Sequence, residues 1–520
     1  MFEPASPRRS AASVSLQFAI ALIAACANSA GASWPFSFGH AGGEPIWWLQ
    51  CLALAALIGV VHRCTSARQA VYAGLLFATA WLCATFWWLY VSMHIFAGLN
   101  AALTVLAIVA LAMALGVYYA IACGLYWRLR RRGPWFSTLA FAALWTMAEM
   151  ARGTWLTGFG WGAIGYAHAN GPLAPWIPWV GSYGVGFLAA WMAASGAAIL
   201  HSGWALRIVL AAVLGFGLMA PGVLPIWSTP TGSLSVTLLQ GNIPQDEKFQ
   251  SGSGVPLALS WYGDQINHSS TDLIVAPETA IPLLPQDLPE DYWDALKHRF
   301  ASKGQAALIG VPLGSMAEGY TNSVVGFAPQ QEAVWRYDKH HLVPFGEFIP
   351  PLFKWFTRMM NIPLGDFNRG AVGQESFDWK GQRLAANICY EDLFGEELGA
   401  RFVDPTRAPT VFVNVSNIGW FGDTVAIDQH LQISRMRALE FERPMVRATN
   451  TGATVIIDHT GQVIQSLPRY TRGTLVGTVE GRSGTTPFAW WVGRFGLWPL
   501  WVLSIAIVFI AARARPARAR

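Results

Sequence analysis

The chain has 520 residues, of which 53% are hydrophobic and only 12% are charged. Soluble domains carry about 25% charged residues, so much of this chain must lie in lipid. The net charge of +5 comes from short basic clusters between apolar runs, a pattern that orients membrane helices and argues against a nucleic-acid partner. Before Asp246 the sequence has only three acidic residues and no lysine. The part of the chain before this residue is therefore expected in lipid, and much of the part after it in water.

Apolar segments of membrane-spanning length dominate the first part of the chain. A helix needs about 20 residues to cross the hydrocarbon core, because each residue rises about 1.5 Å. Eight segments meet this standard: 13–32, 46–62, 70–93, 101–127, 135–151, 179–201, 205–227 and 489–512. Glu149 and Arg152 close the fifth segment, since a charge inside lipid is unfavourable.

Arginine clusters predict the orientation of these helices. They lie on every second connection, at 8–9, 63–68, 128–132, 207 and 513–520. Because positive loops stay in the cytoplasm, both termini are expected there and residues 228–488 outside it, on the periplasmic side. The expected domains are therefore a seven-helix bundle (1–227), a periplasmic catalytic domain (228–488), and a last helix with a basic tail (489–520).

The first apolar segment also permits another interpretation. Arg8, Arg9, the apolar run and Ala27-Asn-Ser-Ala resemble a secretory signal with a cleavage site. Cleavage would break the even helix count that the arginine pattern requires, so a multi-pass inner-membrane protein is the preferred prediction.

Short strands and helices alternate in the polar domain. Five apolar runs of strand length begin at Ser235, Leu273, Ala307, Leu384 and Thr410. Helical spacing occurs over 289–303 and 425–443. This alternation predicts a layered α/β domain with a buried sheet. We find no dinucleotide-binding, P-loop or zinc-ligand spacing, so no cofactor or metal is predicted.

One cysteine stands apart from the others. Five of the six lie in or beside apolar spans, and only Cys389 lies in the polar domain. A lone thiol gives no disulfide framework and makes Cys389 a candidate nucleophile. The alternative is that Cys389 is a small apolar core residue.

Three polar residues follow or adjoin strand-like runs, where layered folds usually build their sites. Glu278 follows the run Leu273-Ile-Val-Ala-Pro, Lys339 precedes His-His-Leu-Val-Pro-Phe-Gly-Glu, and Cys389 precedes Tyr-Glu-Asp. Together these motifs resemble the Glu-Lys-Cys triad of the carbon–nitrogen hydrolase (nitrilase) superfamily. The resemblance implies an α-β-β-α sandwich.

The chemistry of such a triad assigns a role to each residue. Cys389 would attack an acyl carbonyl, helped toward the thiolate by a strand-to-helix turn. Glu278 would act as the base, which requires a pKa raised by partial burial. Lys339 and the backbone amide of Tyr390 would hold the oxyanion. The result is a ping-pong route through an acyl-enzyme. Lys339 could instead be a solvated surface lysine.

Neighbouring polar residues form a second group of candidates. The resemblance implies that Glu347 and Glu391 orient the lysine or the site; otherwise they would be salt-bridged surface carboxylates. His340 and His341 are interpreted as polar loop residues, because the side chains of adjacent histidines tend to point apart and so make a poor metal pair.

Motifs in both halves resemble the apolipoprotein N-acyltransferase family in particular. They begin at Leu156 (Leu-Thr-Gly-Phe-Gly-Trp), Gln240 (Gln-Gly-Asn-Ile-Pro-Gln), Val343 (Val-Pro-Phe-Gly-Glu-Phe-Ile-Pro), Asn417 (Asn-Ile-Gly-Trp-Phe-Gly-Asp) and Arg435 (Arg-Met-Arg-Ala-Leu-Glu). The resemblance implies an inner-membrane enzyme. Its donor would be a phospholipid, typically phosphatidylethanolamine, and its acceptor the diacylglyceryl-cysteine amine of an apolipoprotein.

Aromatic residues within the polar domain are candidates for contact with lipid. Phe353, Trp355 and Phe356 are interpreted as an apolar lid, with ordinary core packing as the alternative. Trp420 is expected to line the same mouth, and Phe249 replaces a tryptophan that the family resemblance leads us to expect after Gly-Asn-Ile-Pro-Gln. These five residues are the predicted substrate contacts.

Two other classes of function remain to be distinguished. A membrane-anchored amidase or nitrilase-type hydrolase would share the fold and the triad but release its product into water. A channel or transporter with an exported sensor domain is disfavoured, because the spans carry almost no charge to mark an ion path.

Overall fold

The computed structural model describes residues 11–36, 38–199, 203–219, 225–329, 333–350 and 367–515. Two compact units divide the chain. The helical unit comprises residues 1–224 and 497–520, and the sandwich unit comprises residues 225–496.

Helices occur in both units. In chain order they are α1 (Ala11–Ala32), α2 (Trp47–Arg63), α3 (Ala67–Phe86), α4 (Ala101–Leu129), α5 (Pro134–Thr154), α6 (Ile177–Ala198), α7 (Trp204–Met219), α8 (Gly254–His268), α9 (Tyr292–Lys303), α10 (Gly395–Gly399), α11 (Ala426–Phe441), α12 (Pro487–Phe495) and α13 (Trp498–Arg513). Helices α1–α7 and α13 belong to the helical unit.

All eight predicted apolar segments overlap helices. Within the described residues, α1, α3, α4 and α6 are long and apolar enough to cross a membrane, and the pair α12 and α13 would make a fifth span if counted together. Segment 489–512 was predicted as one helix, and that prediction is wrong. The helix ends at Phe495 and a new one begins at Trp498, because Gly496 adopts a positive φ of 54° between them.

Two charges are buried in α5. Glu149 and Arg152 are each 1% exposed. Arg152 donates hydrogen bonds to the backbone carbonyls of Phe159 and Trp161, at 2.7 and 2.8 Å. The charges therefore face protein rather than lipid, and α5 continues past the predicted end at residue 151 to Thr154.

Among the described residues the sandwich unit contains two six-stranded sheets. The strands are β1 (Ser228–Gln240), β2 (Leu273–Ala276), β3 (Ala306–Ser315), β4 (Gly319–Phe327), β5 (Trp335–Asp338), β6 (Phe377–Trp379), β7 (Gln382–Ile388), β8 (Val411–Ser416), β9 (Met445–Thr449), β10 (Val455–Ile457), β11 (Val463–Ser466) and β12 (Gly473–Gly484). Their orders are β12-β1-β2-β3-β4-β5 and β11-β10-β9-β8-β7-β6. All five predicted strands are present, as are the two predicted helices, α9 and α11.

Alternating side chains explain the layers of this unit. Val275 of β2 and Val413 of β8 belong to one buried cluster between the two sheets. The intervening Ile274 packs on the other face with residues of α8 and α9, while Phe412 contacts Phe441 of α11, with ring centroids 5.5 Å apart. Because β2 and β8 are each buried on both faces, their apolar runs are nearly continuous. The predicted α-β-β-α sandwich is confirmed.

Candidate active site

The three triad candidates stand directly after the ends of strands. Glu278 follows β2 and Pro277, Lys339 follows β5, and Cys389 follows β7. In the first sheet β2 is parallel to β3, and β5 runs in the same direction because both β3 and β5 pair antiparallel with β4. The carboxyl ends of β2 and β5 therefore meet at one edge, which brings Glu278 and Lys339 together.

The ammonium group of Lys339 is shared between two carboxylates. Its Nζ lies 3.2 Å from Oε1 of Glu278 and 2.9 Å from Oε1 of Glu347. The same two oxygens accept hydrogen bonds from Nδ2 of Asn322, at 2.7 and 2.6 Å. Lys339 is only 1% exposed. It is therefore not a solvated surface lysine but the centre of a buried, interdependent charge cluster.

The charges in this cluster set each other's protonation state. Burial alone would lower the pKa of Lys339, but Glu278 and Glu347 raise it well above its ordinary value. Burial would raise the pKa of Glu278, yet Lys339, Asn322 and Lys248 together lower it. The sequence-based prediction of a raised pKa for Glu278 is therefore wrong, because the ammonium and the hydrogen bonds outweigh burial. Glu278 is ionised at neutral pH.

Cys389 occupies a strained turn between β7 and a short 3-10 helix, Cys389–Leu393. Its φ of +56° lies in the left-handed region, which non-glycine residues adopt only when their surroundings enforce it. Burial raises the pKa of the thiol to about 12; Glu278 adds to the rise, whereas Lys339 and Ser416 oppose it. Burial thus outweighs the expected help from the turn. The resting thiol is protonated and needs a base.

Glu391 ties the lysine segment to the cysteine segment through their backbones. Its Oε1 accepts from the amides of His340 and His341, at 2.7 and 3.1 Å. Its Oε2 accepts from the amide of Ile388 at 2.6 Å and the hydroxyl of Tyr337 at 2.8 Å. Both carboxylate oxygens are thus satisfied, and Glu391 is a buried structural tether rather than a surface carboxylate.

Tyr390 contacts a backbone carbonyl and Lys339, whereas His340 and His341 both lie near Glu397, with His340 Nε2 4.0 Å from Oε1 of Glu397. The Tyr390 hydroxyl donates to the carbonyl of Leu342 at 2.8 Å, and its ring centroid lies 5.8 Å from Nζ of Lys339. His341 Nδ1 lies 3.0 Å from Oε1 of Glu397. In the part of the chain that the structure describes, no cluster of three or more His, Cys, Asp or Glu residues could hold a metal.

The predicted substrate contacts are only partly within the described residues. Phe249 is 54% exposed and Trp420 is 40% exposed, which leaves both rings accessible to a ligand. Phe353, Trp355 and Phe356 lie outside the residues that the structure describes.

A second buried lysine was missed by the sequence analysis. Lys248 is 1% exposed, and its Nζ donates to the backbone carbonyl of Glu278 at 3.0 Å. Burial lowers the pKa of Lys248 to about 7, although Glu278 and Cys389 favour its charged form. The available signal was its position, as the first lysine of the chain and the neighbour of Phe249.

Two asparagines complete the surroundings of Glu278. The backbone amide of Asn417 donates to Oε2 of Glu278 at 2.9 Å, and Nδ2 of Asn322 donates to Oε1 of the same carboxylate. Asn417 opens one of the motifs noted in the sequence. Asn322 lies in β4, for which the sequence analysis predicted no strand, so its role could not be anticipated.

Comparisons with known proteins agree with this architecture. Family models match twice: the apolipoprotein N-acyltransferase N-terminal domain over residues 16–195 and carbon-nitrogen hydrolase over residues 235–487. An apolipoprotein N-acyltransferase of Verminephrobacter eiseniae is 54% identical over 513 residues, covering 94% of this chain and 95% of the relative. The chain belongs to the apolipoprotein N-acyltransferase family.

A second curated relative agrees with the family assignment. An apolipoprotein N-acyltransferase of Ralstonia nicotianae is 44% identical over 493 residues, covering 91% of this chain and 90% of the relative. Among solved structures, a carbon-nitrogen hydrolase from Helicobacter pylori G27 aligns over 52% of this chain and 94% of its own, with 15% identity and a TM-score of 0.35. As a member of the apolipoprotein N-acyltransferase family, the chain is a transferase enzyme with a carbon-nitrogen hydrolase domain.

Replacing Lys339 with methionine should destabilise the protein. Glu278 and Glu347 would then face each other without a cation, and removing one partner of a buried pair costs about 3–5 kcal/mol. Without the ammonium the pKa of Glu278 rises, so the difference from the parent should shrink as the pH falls through about 4. Thermal unfolding in detergent at about pH 7 and about pH 4 measures this.

The matched control for this prediction is Lys297→Met. Lys297 forms an exposed pair with Asp294 at 3.1 Å, so its loss should change stability by less than about 1 kcal/mol. A Lys339→Met protein as stable as the control at neutral pH would contradict the shared-ammonium arrangement.

Replacing Lys248 with methionine should make the Cys389 thiol less reactive. The charged amine favours the thiolate, so alkylation by iodoacetamide should slow by about tenfold, the equivalent of one pKa unit. Because Lys248 is protonated below its pKa of about 7, this difference should be present below that pH and fade above it. Peptide mass mapping of Cys389 follows the rate, with Lys297→Met as control. An equal ratio of rates at every pH would show that the charge of Lys248 is not involved.

Proposed function

We propose that this enzyme transfers an acyl chain from a phospholipid, through a thioester on Cys389, to the α-amine of the diacylglyceryl-cysteine of an apolipoprotein. The observation that carries the proposal is the pairing of a protonated, strained thiol with an ionised carboxylate and an ammonium group. The names of the relatives support the acceptor class. Phosphatidylethanolamine is the proposed donor.

In the first half-reaction, Glu278 takes the proton of Cys389 as its sulfur attacks the ester carbonyl of the donor. Lys339, with the backbone amide of Tyr390, stabilises the oxyanion that forms. The tetrahedral intermediate then collapses, the ester C–O bond breaks, and Glu278 returns the proton to the leaving alkoxide. The products are a lysophospholipid and the acyl thioester of Cys389.

In the second half-reaction, the neutral α-amine of the lipoprotein attacks the thioester carbonyl. Glu278 accepts the proton that the amine loses, and the same ammonium stabilises the second oxyanion. The C–S bond breaks, and the thiolate of Cys389 takes the proton back from Glu278. The amide is released and the enzyme returns to its starting state, with one base serving both steps.

A lipid donor and acceptor require a site at a membrane surface. We place the enzyme in the bacterial inner membrane with both termini in the cytoplasm and the domain over 228–488 in the periplasm, supported by the arginine pattern. The helices over 1–227 and 489–520 would anchor it. Within this proposal, Phe249 and Trp420 contact acyl chains, and Phe353, Trp355 and Phe356 cover them and exclude water.

Intact-mass spectrometry tests the thioester. The purified enzyme, incubated with phosphatidylethanolamine, should gain one acyl mass that neutral hydroxylamine removes and that a diacylglyceryl peptide amine accepts. The mass should be absent in Cys389→Ala, since no nucleophile remains, and resistant to hydroxylamine if any forms on Cys389→Ser.

Cys83→Ala is the matched control, because Cys83 lies in α3 of the helical unit. This variant should acylate as the parent does. If no phospholipid adds an acyl mass while small amides are hydrolysed, the enzyme is a nitrilase-type hydrolase and the proposed transfer is wrong.

A further inference from the structure

The carbonyl oxygen of Cys389 is held by two side chains. Nδ2 of Asn414, on β8, donates to it at 2.8 Å, and Nε2 of His430, on α11, lies 3.2 Å from it. Both side chains are buried. Cys389 is also a residue in the left-handed conformation. The two contacts therefore restrain the peptide group whose orientation directs the thiol.

Arg447 determines which nitrogen of His430 carries the proton. Nη2 of Arg447 lies 2.7 Å from Nδ1 of His430. Because a guanidinium group has donors only, Nδ1 of His430 must be the acceptor. Nδ1 therefore carries no proton, and the imidazole ring is neutral. The ring proton therefore resides on Nε2, where it faces the carbonyl of Cys389 and, at 3.0 Å, Oδ1 of Asp392.

Asp392 and Ser434 complete a closed network around this ring. The Ser434 hydroxyl donates to Oδ2 of Asp392 at 2.5 Å and itself accepts from Nη1 of Arg447. Each of the four side chains is at most 1% exposed. Burial and the charge of Arg447 lower the pKa of His430, in agreement with a neutral ring. His430 and Ser434 are four residues apart on α11, so one helix face supplies both.

We infer that His430 is a positioning residue for the nucleophile, which it holds through the Nε2–H group that faces the Cys389 carbonyl. The inference rests on the proposed thioester role of Cys389. Buried ionic networks often contribute no more stability than well-packed apolar side chains. Beyond packing, this network supplies a hydrogen-bond donor on His430. Arg447 fixes the tautomer of this ring, and the donor faces the backbone carbonyl of Cys389.

Two isosteric substitutions separate this role from packing alone. Glutamine places its amide nitrogen near the position of Nε2, and its oxygen can still accept from Arg447. Asparagine is shorter, so its amide replaces Nδ1 and leaves the Cys389 carbonyl without this donor. In both variants an amide oxygen can accept from Arg447, and Asp392 keeps its contacts with Ser434 and Arg447.

The experiment measures the rate of thioester formation against phosphatidylethanolamine concentration in the full-length enzyme. His430→Asn should acylate about tenfold to a hundredfold more slowly, because small misplacement of a reacting group has effects of that size. The donor concentration that gives half the maximal rate should not change. His430→Gln should stay within about threefold of the parent. His298→Gln, at an exposed position of α9, is the control.

Equal rates for His430→Asn and the parent, or equal losses for the asparagine and glutamine variants, would overturn the inference. Arg447→Lys offers a second route if His430→Asn does not fold. It should slow acylation by releasing Nδ1, and an unchanged rate would also overturn the inference. Alkylation of Cys389 by iodoacetamide, which needs no lipid, should rank the variants in the same order. A parent that alkylates but never acylates would therefore contradict the proposed function and not the role of His430.

Discussion

One buried ammonium group holds the charge balance on which the candidate site depends. Lys339 lies within 3.2 Å of Glu278 and 2.9 Å of Glu347, and Asn322 donates to both carboxylates. Two desolvated carboxylates this close would repel each other strongly without a cation between them. The arrangement draws the end of β2, strand β4 and the turn after β5 together. Glu278 must be ionised before it can accept a proton, so each proposed step of transfer begins from this arrangement.

The cysteine is positioned by a different means, through its backbone. Glu391 accepts from the amide of Ile388, just before Cys389, and Asn414 and His430 contact the Cys389 carbonyl. Glu278 raises the pKa of the thiol, Ser416 lowers it, and burial keeps the thiol protonated. A protonated thiol resists oxidation and adventitious alkylation better than a thiolate does. In the proposed mechanism Cys389 becomes a thiolate only as it attacks the donor, when Glu278 takes its proton.

The sequence predicts which strand ends carry the site residues better than it predicts the contacts among those residues. Glu278 and Cys389 each follow a largely apolar run of strand length, so their places at strand ends could be anticipated. Lys248 and Asn322 could not, because their contacts with Glu278 depend on the packing of a loop and the pairing of β4. The proton position on His430 depends on Arg447, which belongs to another strand. Burial alone predicts a raised pKa for Glu278, whereas the ammonium of Lys339 and the amide of Asn322, which depend on tertiary packing, lower it. The apolar pattern likewise continues across Gly496, so it does not predict the break between α12 and α13 at that residue.

The most direct test compares the alkylation rate of Cys389 in the parent and in Glu278→Gln at a fixed, mildly alkaline pH. The charge of Glu278 raises the pKa of the thiol, so its removal should speed alkylation, by up to about tenfold for each pKa unit. The same variant should lose acyl transfer from phospholipid, because the base is gone. Alkylation that is unchanged in Glu278→Gln would contradict the account, since it would mean that the resting thiol is already a thiolate paired with Lys339.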